Sequence, residues 1–381
     1  MERSPAGDRL TGASRFVPSA DAVPKENTLM DKAEILDWLR EEDPARLAGL
    51  FRRADTIRRE TVGDAVHLRG LIEISNDCRR NCLYCGLRAG NSTLQRYRMT
   101  AEQILECARK AVEYGYGTVV LQSGENTDIA ADWVADAVSR IKRETPLAVT
   151  LSLGERTVEE FALWRKAGAD RYLLRFETSS RALYERVRPV PAGMRSDRLA
   201  LLRELGRLGY EIGGGVMVGL PGQTWDILAD DLLQFREMDM DMVGLGPYLS
   251  HPQTPMGRKP WRFNAPEGEQ VPNTEEMTYK VLALTRLLVP EANIPSTTAL
   301  AAINTTDGRE RGLGSGANVV MPNLTPPPYR DLYEIYPGKA CASETAEVCR
   351  DCLRRRITAI GRVVGTGPGP RQRRALDPQS A

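Results

Sequence analysis

Histidine is nearly missing from this chain: His67 and His251 are the two in 381 residues. Neither is spaced as a partner to other ligands, so a metal centre resting on histidine pairs is excluded. Charge of one sign is also missing. The formal net charge is +1, so no global field points to nucleic acid or to an acidic partner. No apolar run is long enough to span a bilayer. The first residues, Met1 to Lys25, are polar with scattered proline and glycine and do not read as a signal peptide. The expected location is the cytoplasm, with no membrane partner. A secreted disulfide framework is excluded as well, because the 7 cysteines fall in two tight groups plus one loner. That grouping fits metal binding in a reducing compartment. No short-period repeat interrupts the central region.

What is present is one alternation, repeated. Hydrophobic residues make up 41% of the chain, enough for a sizeable core. β-Branched and apolar runs predict strands at Val66–Ser75, Thr118–Gln122, Leu147–Leu153, Arg171–Phe176, Glu211–Leu220, Met242–Leu245, Ile294–Thr298 and Asn318–Met321. Helical spacing predicts intervening helices at Thr100–Tyr114, Ile129–Arg143, Val158–Lys166, Arg181–Val187, Ser196–Leu208, Trp225–Met238 and Asn273–Leu288. Thr100 and Gln103 are placed as a capping box. Eight strand–helix steps over about 260 residues predict an α/β fold, a closed (β/α)8 barrel, with an open doubly wound sheet as the alternative. Leading helices at Lys32–Arg40 and Ala45–Ile57 would pack outside it. The expected organisation is a disordered N-terminal extension over 1–27, a barrel domain with its leading helices and a cysteine segment over 28–361, and a flexible basic tail over 362–381.

Three of the cysteines, Cys78, Cys82 and Cys85, follow the first strand with the spacing Cys-x3-Cys-x2-Cys. Three thiolates grip one face of a cubane cluster that usually takes four ligands, which leaves one iron open for something other than protein. A zinc site would want a fourth ligand and two separated pairs. Cys107 lies at an apolar position of the first barrel helix and reads as core. In a barrel of this kind chemistry sits at the C-terminal ends of the strands. Cys78, Ser123-Gly124-Glu125, Glu177, Met217, Thr297, Thr298 and Met321 all fall there. Cys341, Cys349 and Cys352 form a second group with the spacing Cys-x7-Cys-x2-Cys. It reads as an auxiliary iron–sulfur cluster, as adventitious zinc, or as free thiols near Arg354-Arg355-Arg356.

The first triad, with Tyr84 before its last cysteine, resembles the radical S-adenosylmethionine (SAM) superfamily. Longer strings resemble the HydE-type maturases of [FeFe]-hydrogenase within it: Ile72-Glu-Ile-Ser-Asn76, Cys82-Leu-Tyr-Cys-Gly-Leu-Arg88, Arg96-Tyr-Arg-Met99, Val120-Leu-Gln-Ser-Gly-Glu125, Thr150-Leu-Ser-Leu-Gly-Glu155, Met217-Val-Gly-Leu-Pro-Gly-Gln-Thr224, Asp241-Met-Val-Gly244, Ile294-Pro-Ser-Thr-Thr298, Gly316-Ala-Asn-Val-Val-Met-Pro-Asn323 and Tyr336-Pro-Gly-Lys339. The resemblance runs from roughly Leu29 to Gly361. Biotin synthases and methylornithine synthases share the barrel and the first motif. The absence of cysteine between Cys107 and Cys341 argues against the second, in-barrel cluster of the former.

The resemblance implies a [4Fe–4S] cluster on Cys78, Cys82 and Cys85 whose open iron binds the methionine end of SAM. One electron then cleaves SAM to a 5′-deoxyadenosyl radical. It implies SAM contacts at Gln122, Glu177, Arg198, Met217, Met242 and Tyr333. Tyr84 would lie beside the adenine, and Ser123 and Gly124 would let the backbone approach the methionine end. Arg198 would pair with the methionine carboxylate. A substrate or anion cavity would be lined by Thr150, Arg175, Thr297, Thr298 and Met321, with an inward-facing Arg175 favouring an anion. The implied reaction is in assembly of the di-iron part of the hydrogenase H-cluster, on a cysteine-bound iron carbonyl cyanide species from a HydG-type maturase. The product would pass to a HydF-type scaffold, and a ferredoxin or flavodoxin would supply the electron. Some family members carry an auxiliary cluster at the place of Cys341, Cys349 and Cys352, and the family reaction does not require it. The alternatives are a related radical SAM mutase or sulfur-insertion enzyme, and a non-catalytic iron–sulfur or zinc interaction protein.

Overall fold

A computed structural model describes residues 30–190, 195–258, 265–338 and 346–372. Ten strands are present among them: β1 (Ala65–Ser75), β2 (Thr118–Ser123), β3 (Ala148–Ser152), β4 (Arg171–Leu173), β5 (Glu211–Gly214), β6 (Met217–Val218), β7 (Met242–Val243), β8 (Gly246–Pro247), β9 (Val319–Val320) and β10 (Val363–Val364). β1, β2, β3, β4, β5 and β7 pair in sequence, all parallel. On its other edge β1 pairs with β9, again parallel. Two isolated parallel bridges, Met242↔Asn293 and Pro295↔Val319, join β7 to β9 through the segment around Asn293–Pro295. They complete a parallel ring, and the open-sheet alternative does not describe this chain.

Helices form the outer layer, for the reasons their sequences suggest. Thr100 and Gln103 make the expected capping box at Ala101–Glu113, and Thr157 and Glu160 make a second one at Val158–Lys166. The latter helix lays Phe161 and Trp164, both fully buried, against Tyr172 of β4. Side chains of this size each contribute about 1.5–3 kcal/mol on burial. The leading helices are Lys32–Arg40 and Pro44–Val62; the second starts at a proline whose missing N–H is not needed there. Helix Glu275–Leu288 packs on both.

The strand expected over Glu211–Leu220 is two pieces. β5 stays in the ring, while β6 leaves it to pair with β8 in a separate two-stranded ribbon at the mouth. The run Ile294–Thr298 makes a single bridge before Thr297 caps a short helix, Thr298–Ile303. Helices Gly308–Gly314 and Ala346–Ala359 were not anticipated. The expected disordered extension over 1–27 lies outside the described residues.

The segment from Arg362 to Gln372, expected to open a flexible tail, is instead part of the barrel. β10 pairs with the start of β1, Ala65↔Val363 and Val66↔Val364. Beyond it the chain crosses the N-terminal end of the ring. The Pro368 carbonyl accepts from Thr118 Oγ1 (2.9 Å) and Arg171 Nη2 (3.1 Å). The Gly369 carbonyl accepts from Arg69 Nη2 (3.1 Å) and Asn293 Nδ2 (3.2 Å). Arg371 then pairs with Asp239 (2.6 Å). Buried guanidiniums need acceptors, and here backbone carbonyls supply them. Residues 373–381 lie outside the described residues.

This seal has a tight point. A Cβ on Gly117 would stand 1.7 Å from the Gly367 carbonyl oxygen. Gly117→Ala is therefore expected to lift the C-terminal segment, lower stability by about 1–3 kcal/mol as overpacking does, and make trypsin cleavage after Arg371 rapid under native conditions. Gly49→Ala, where a Cβ meets nothing within 4 Å inside helix Pro44–Val62, is the control: it should leave the cleavage rate unchanged and raise stability by about 0.5–1 kcal/mol. A Gly117→Ala protein as resistant as the wild type would show that the segment does not sit against Gly117.

Candidate active site

The chain leaves β1 directly into the cysteine loop, which backbone hydrogen bonds tie down on all sides. Arg79 N donates to the Glu125 carbonyl (2.8 Å), Leu83 N to the Val187 carbonyl (2.8 Å) and Gly86 N to the Ile335 carbonyl (3.1 Å). Gly124 is the closest approach. A Cβ there would lie 2.2 Å from the Asp77 carbonyl oxygen and 2.8 Å from Cys78 Cβ. The Cβ side of Gly124 is thus filled by the cysteine loop, while the residue also lines the cavity described below.

Cys78, Cys82 and Cys85 are free thiols, the second buried and the others half-buried by their neighbours. Burial, and then the nearby Cys82, push the thiols of Cys78 and Cys85 above the usual range. Metal binding supplies the positive charge that favours the thiolate form of such buried thiols while releasing their protons. Among the described residues no three Cys, His, Asp or Glu side chains are drawn in around one ion. A cubane takes each thiolate on a separate iron, so three cysteines leave one iron open, whereas a structural zinc would want a fourth protein ligand. The residues fit the cluster that the spacing implies.

The triad opens on a cavity of about 1680 Å³, its mouth included, inside the C-terminal end of the ring. Tyr84, Gln122, Ser123, Gly124, Glu177, Arg198, Met217 and Tyr333 all line it, as do Arg175, Thr297, Thr298 and Met321. Gln122 Nε2 donates to Tyr333 Oη (3.2 Å), and Thr298 Oγ1 shares a hydrogen bond with Tyr336 Oη (2.7 Å). The Thr297 hydroxyl is buried with no partner. Met242 and Thr150 lie elsewhere. They line a second, much smaller cavity of about 30 Å³ beneath the first, where Arg69 Nη1 approaches the Met242 sulfur at 3.0 Å. Met321 lines both cavities.

Glu177 carries the local strain. Its φ is 64°, a left-handed conformation that costs a non-glycine residue about 1–3 kcal/mol. The turn that holds it is pinned from behind. Asp231, fully buried, accepts from Thr178 Oγ1 (3.1 Å), Ser179 Oγ (2.7 Å), Ser179 N and Gln223 Nε2 (2.9 Å). The Glu177 carboxylate takes Arg175 at 3.0 Å. Arg175 faces inward as the anion reading requires, yet its charge is already met by Glu177.

Arg198, at the start of helix Arg198–Arg207, is buried rather than on the surface. It binds Glu125 (2.7 Å) and Glu155 (2.9 Å). The pairing expected with a methionine carboxylate would have to share these partners. Sequence reasoning gave no site role to Glu155, Arg80, Arg188 or Tyr336. The two glutamates had a legible signal: Gly124-Glu125 and Gly154-Glu155 stand in equivalent turns after β2 and β3. Arg188 has none, since it follows a surface helix and precedes a proline.

The second cysteine group is apart from this site. Cys349 is buried and Cys352 half-buried on helix Ala346–Ala359 outside the ring, with Cys349 beside Tyr116; Cys341 lies outside the described residues. Among the described residues no helix is long and apolar enough to cross a membrane.

Two outcomes follow from this geometry. Gly124→Ala should displace the cysteine loop, so that anaerobic reconstitution yields less bound iron per chain than wild type; equal iron would disprove the tight contact. Burial pushes the Asp231 carboxyl up to about 7. A folded value above the unfolded 3.8 means the native state holds the extra proton between pH ~4 and ~7, so stability falls as pH rises through that window and levels off above it. Asp231→Asn should flatten this slope in urea titrations across pH 4–7; an unchanged slope would assign it to another group.

Three comparisons bear on this geometry. Residues 72–234 match the Radical SAM superfamily. The [FeFe] hydrogenase maturase subunit HydE of Thermotoga maritima is 51% identical over 324 residues, 85% of this chain and 89% of that protein. Among solved structures, methylornithine synthase (PylB) superposes with a TM-score of 0.75 at 23% identity, over 89% of this chain and 95% of that one. The maturase HydG does so with 0.72 at 20% identity, over 88% and 72%. Both share the fold. Identity of this extent across the whole ring places the chain in a family: it belongs to the HydE-type maturases of [FeFe]-hydrogenase, radical SAM enzymes on a parallel β/α barrel.

Proposed function

We propose that this enzyme acts in assembly of the di-iron part of the hydrogenase H-cluster, on a cysteine-bound iron carbonyl cyanide species delivered by a HydG-type maturase. The observation that carries the reading is the cysteine triad at the end of β1, opening on the cavity inside the C-terminal end of the ring. The cluster with SAM supplies a one-electron reductive cleavage to a 5′-deoxyadenosyl radical, directed at the substrate's sulfur. Cys78, Cys82 and Cys85 hold the cluster. Tyr84 flanks the adenine. Gln122 and Tyr333, hydrogen-bonded to each other, present polar atoms from one wall, and Met217 and Glu177 present theirs from the other. Ser123 and Gly124 keep that side of the cavity close to the cysteine loop. Arg198, anchored on two carboxylates, orients the methionine end. Arg175, Thr297, Thr298 and Met321 form the substrate side of the cavity, with Thr297 offering an unsatisfied hydroxyl. Met242 and Thr150 support it from the lower cavity. The ring wall excludes water from the reacting centre. A ferredoxin or flavodoxin supplies the electron, a HydF-type scaffold takes the product, and Cys341, Cys349 and Cys352 carry an auxiliary cluster that the reaction does not need.

The test is anaerobic reconstitution with SAM and a reductant, followed by 5′-deoxyadenosine. Cys82→Ala should abolish its formation and Cys349→Ala should spare it; equal loss in both would contradict the division of roles. No 5′-deoxyadenosine from wild type would sink the radical reading. Failure to restore hydrogenase maturation in a reconstituted system, with cleavage intact, would point instead to a carbon substrate as in mutases and sulfur-insertion enzymes.

A further inference from the structure

Three guanidiniums and two carboxylates are buried together on the cavity wall beside the cysteine triad. The side chains of Arg80, Arg188 and Arg198 expose 6%, 7% and 6% of their surface, and those of Glu125 and Glu155 expose 10% and 14%. Arg188 meets Glu125 at 2.5 Å and Glu155 at 3.6 Å. Arg198 bridges the same two carboxylates at 2.7 and 2.9 Å. Arg80 stands off at 3.3 Å from Glu125 and 4.0 Å from Glu155. This network therefore holds one positive charge more than it compensates.

The surplus is directed. Arg80 Nε and Nη2 and Arg188 Nε are buried with no hydrogen-bond partner. Arg80 lies between the first two cysteines of the triad. Arg188 is anchored next to it, because the preceding carbonyl, Val187, accepts from Leu83 N at 2.8 Å. Of the other charges lining the cavity, Arg175 pairs with Glu177 through Nη2 while its Nε is also unpartnered, and Glu73, which accepts from the neutral amide of Asn323, keeps its negative charge on the β1 wall. Leaving a buried cation short of partners is unfavourable unless an anion completes it. Three thiolates on a cubane are that anion, and their negative charge grows when the cluster takes up an electron.

Resting on the reading that the triad holds a cluster, we propose that Arg188 and Arg80 offset the cluster's charge and set its reduction potential, favouring the reduced state before SAM binds. Net charge and hydrogen bonds at the sulfurs are the levers by which proteins tune such clusters. Arg198, bound on three sides to Glu125, Glu155 and the Arg175 carbonyl, is left to the methionine end.

The test is an EPR-monitored redox titration of the reconstituted, SAM-free enzyme. Arg188→Gln should shift the reduction equilibrium at least tenfold toward the oxidised cluster, which is 59 mV for a one-electron couple. Arg80→Gln should move it the same way and serves if Arg188→Gln does not fold. Glu125→Gln enlarges the surplus and should move it oppositely, and Arg188→Lys should restore most of the wild-type value. A merely structural role predicts no such reversal of sign. Both charge-changing variants within threefold of wild type, or both moving in one direction, would overturn the proposal. So would an unchanged potential in Arg188→Gln with weakened SAM binding, since the surplus would then serve the SAM carboxylate. Wild-type iron content and the EPR signal of its reduced cluster report separately on the underlying reading.

Discussion

Strand β1 is the element on which the rest depends. It is 11 residues long, pairs with β2 along one edge, and meets β10 and then β9 along the other. A ring in which each strand has two parallel neighbours leaves no edge to protect. It also fixes where the chain must go next. The cysteine loop emerges from the end of β1 into a space bounded by the turns after β2 and β3, and the only way to seat it so close is the bare backbone at Gly124. Fold and site meet at that contact.

The charges follow from the same crowding. Glu125 and Glu155 occupy the turns after β2 and β3, so their carboxylates come together beneath the loop. Arg80, Arg188 and Arg198 then arrive from the loop itself and from two helices beyond β4. A network drawn from so many separated pieces of chain locks their relative positions. At an interior where charges are expensive to bury, that rigidity is what a site handling a reactive carbon requires.

Much of this was legible in the sequence, for identifiable reasons. Capping residues such as Thr100 and Gln103 act locally, so the helices stood out. Residues expected at the C-terminal ends of strands line the cavity because a parallel barrel gathers the segments that follow its strands at one mouth. The legible part ended where tertiary geometry decides. Glu211–Leu220 reads as one glycine-rich strand, yet its two halves, parted at Gly215, serve different sheets. Ile294–Thr298 reads as a strand, but the ring needs only a bridge from it. Met242 shares its sequence setting with Met217 and falls one layer lower. Arg188 carries no local mark at all, since its importance arises from what other segments bring to it. The C-terminal Gly-Thr-Gly-Pro-Gly-Pro run was misleading for a different reason. It binds through carbonyls, not side chains, and so shows no hydrophobic period.

That last segment has a consequence for how the molecule comes into being. Ala65 and Val363 are partners, so this pairing joins points near opposite ends of the folded chain. Contacts of such long sequence separation form slowly, because the intervening chain must be ordered first. The carbonyls that receive Arg69 and Arg171, those of Gly369 and Pro368, follow this pairing directly in the chain. Until this segment docks, Arg171 is held only by Glu211 and Thr118, Arg69 lacks its carbonyl acceptor, and the floor of the barrel stays open. Closure of the interior is in this sense timed by its longest-range pairing: the vessel is stoppered only when that contact is made.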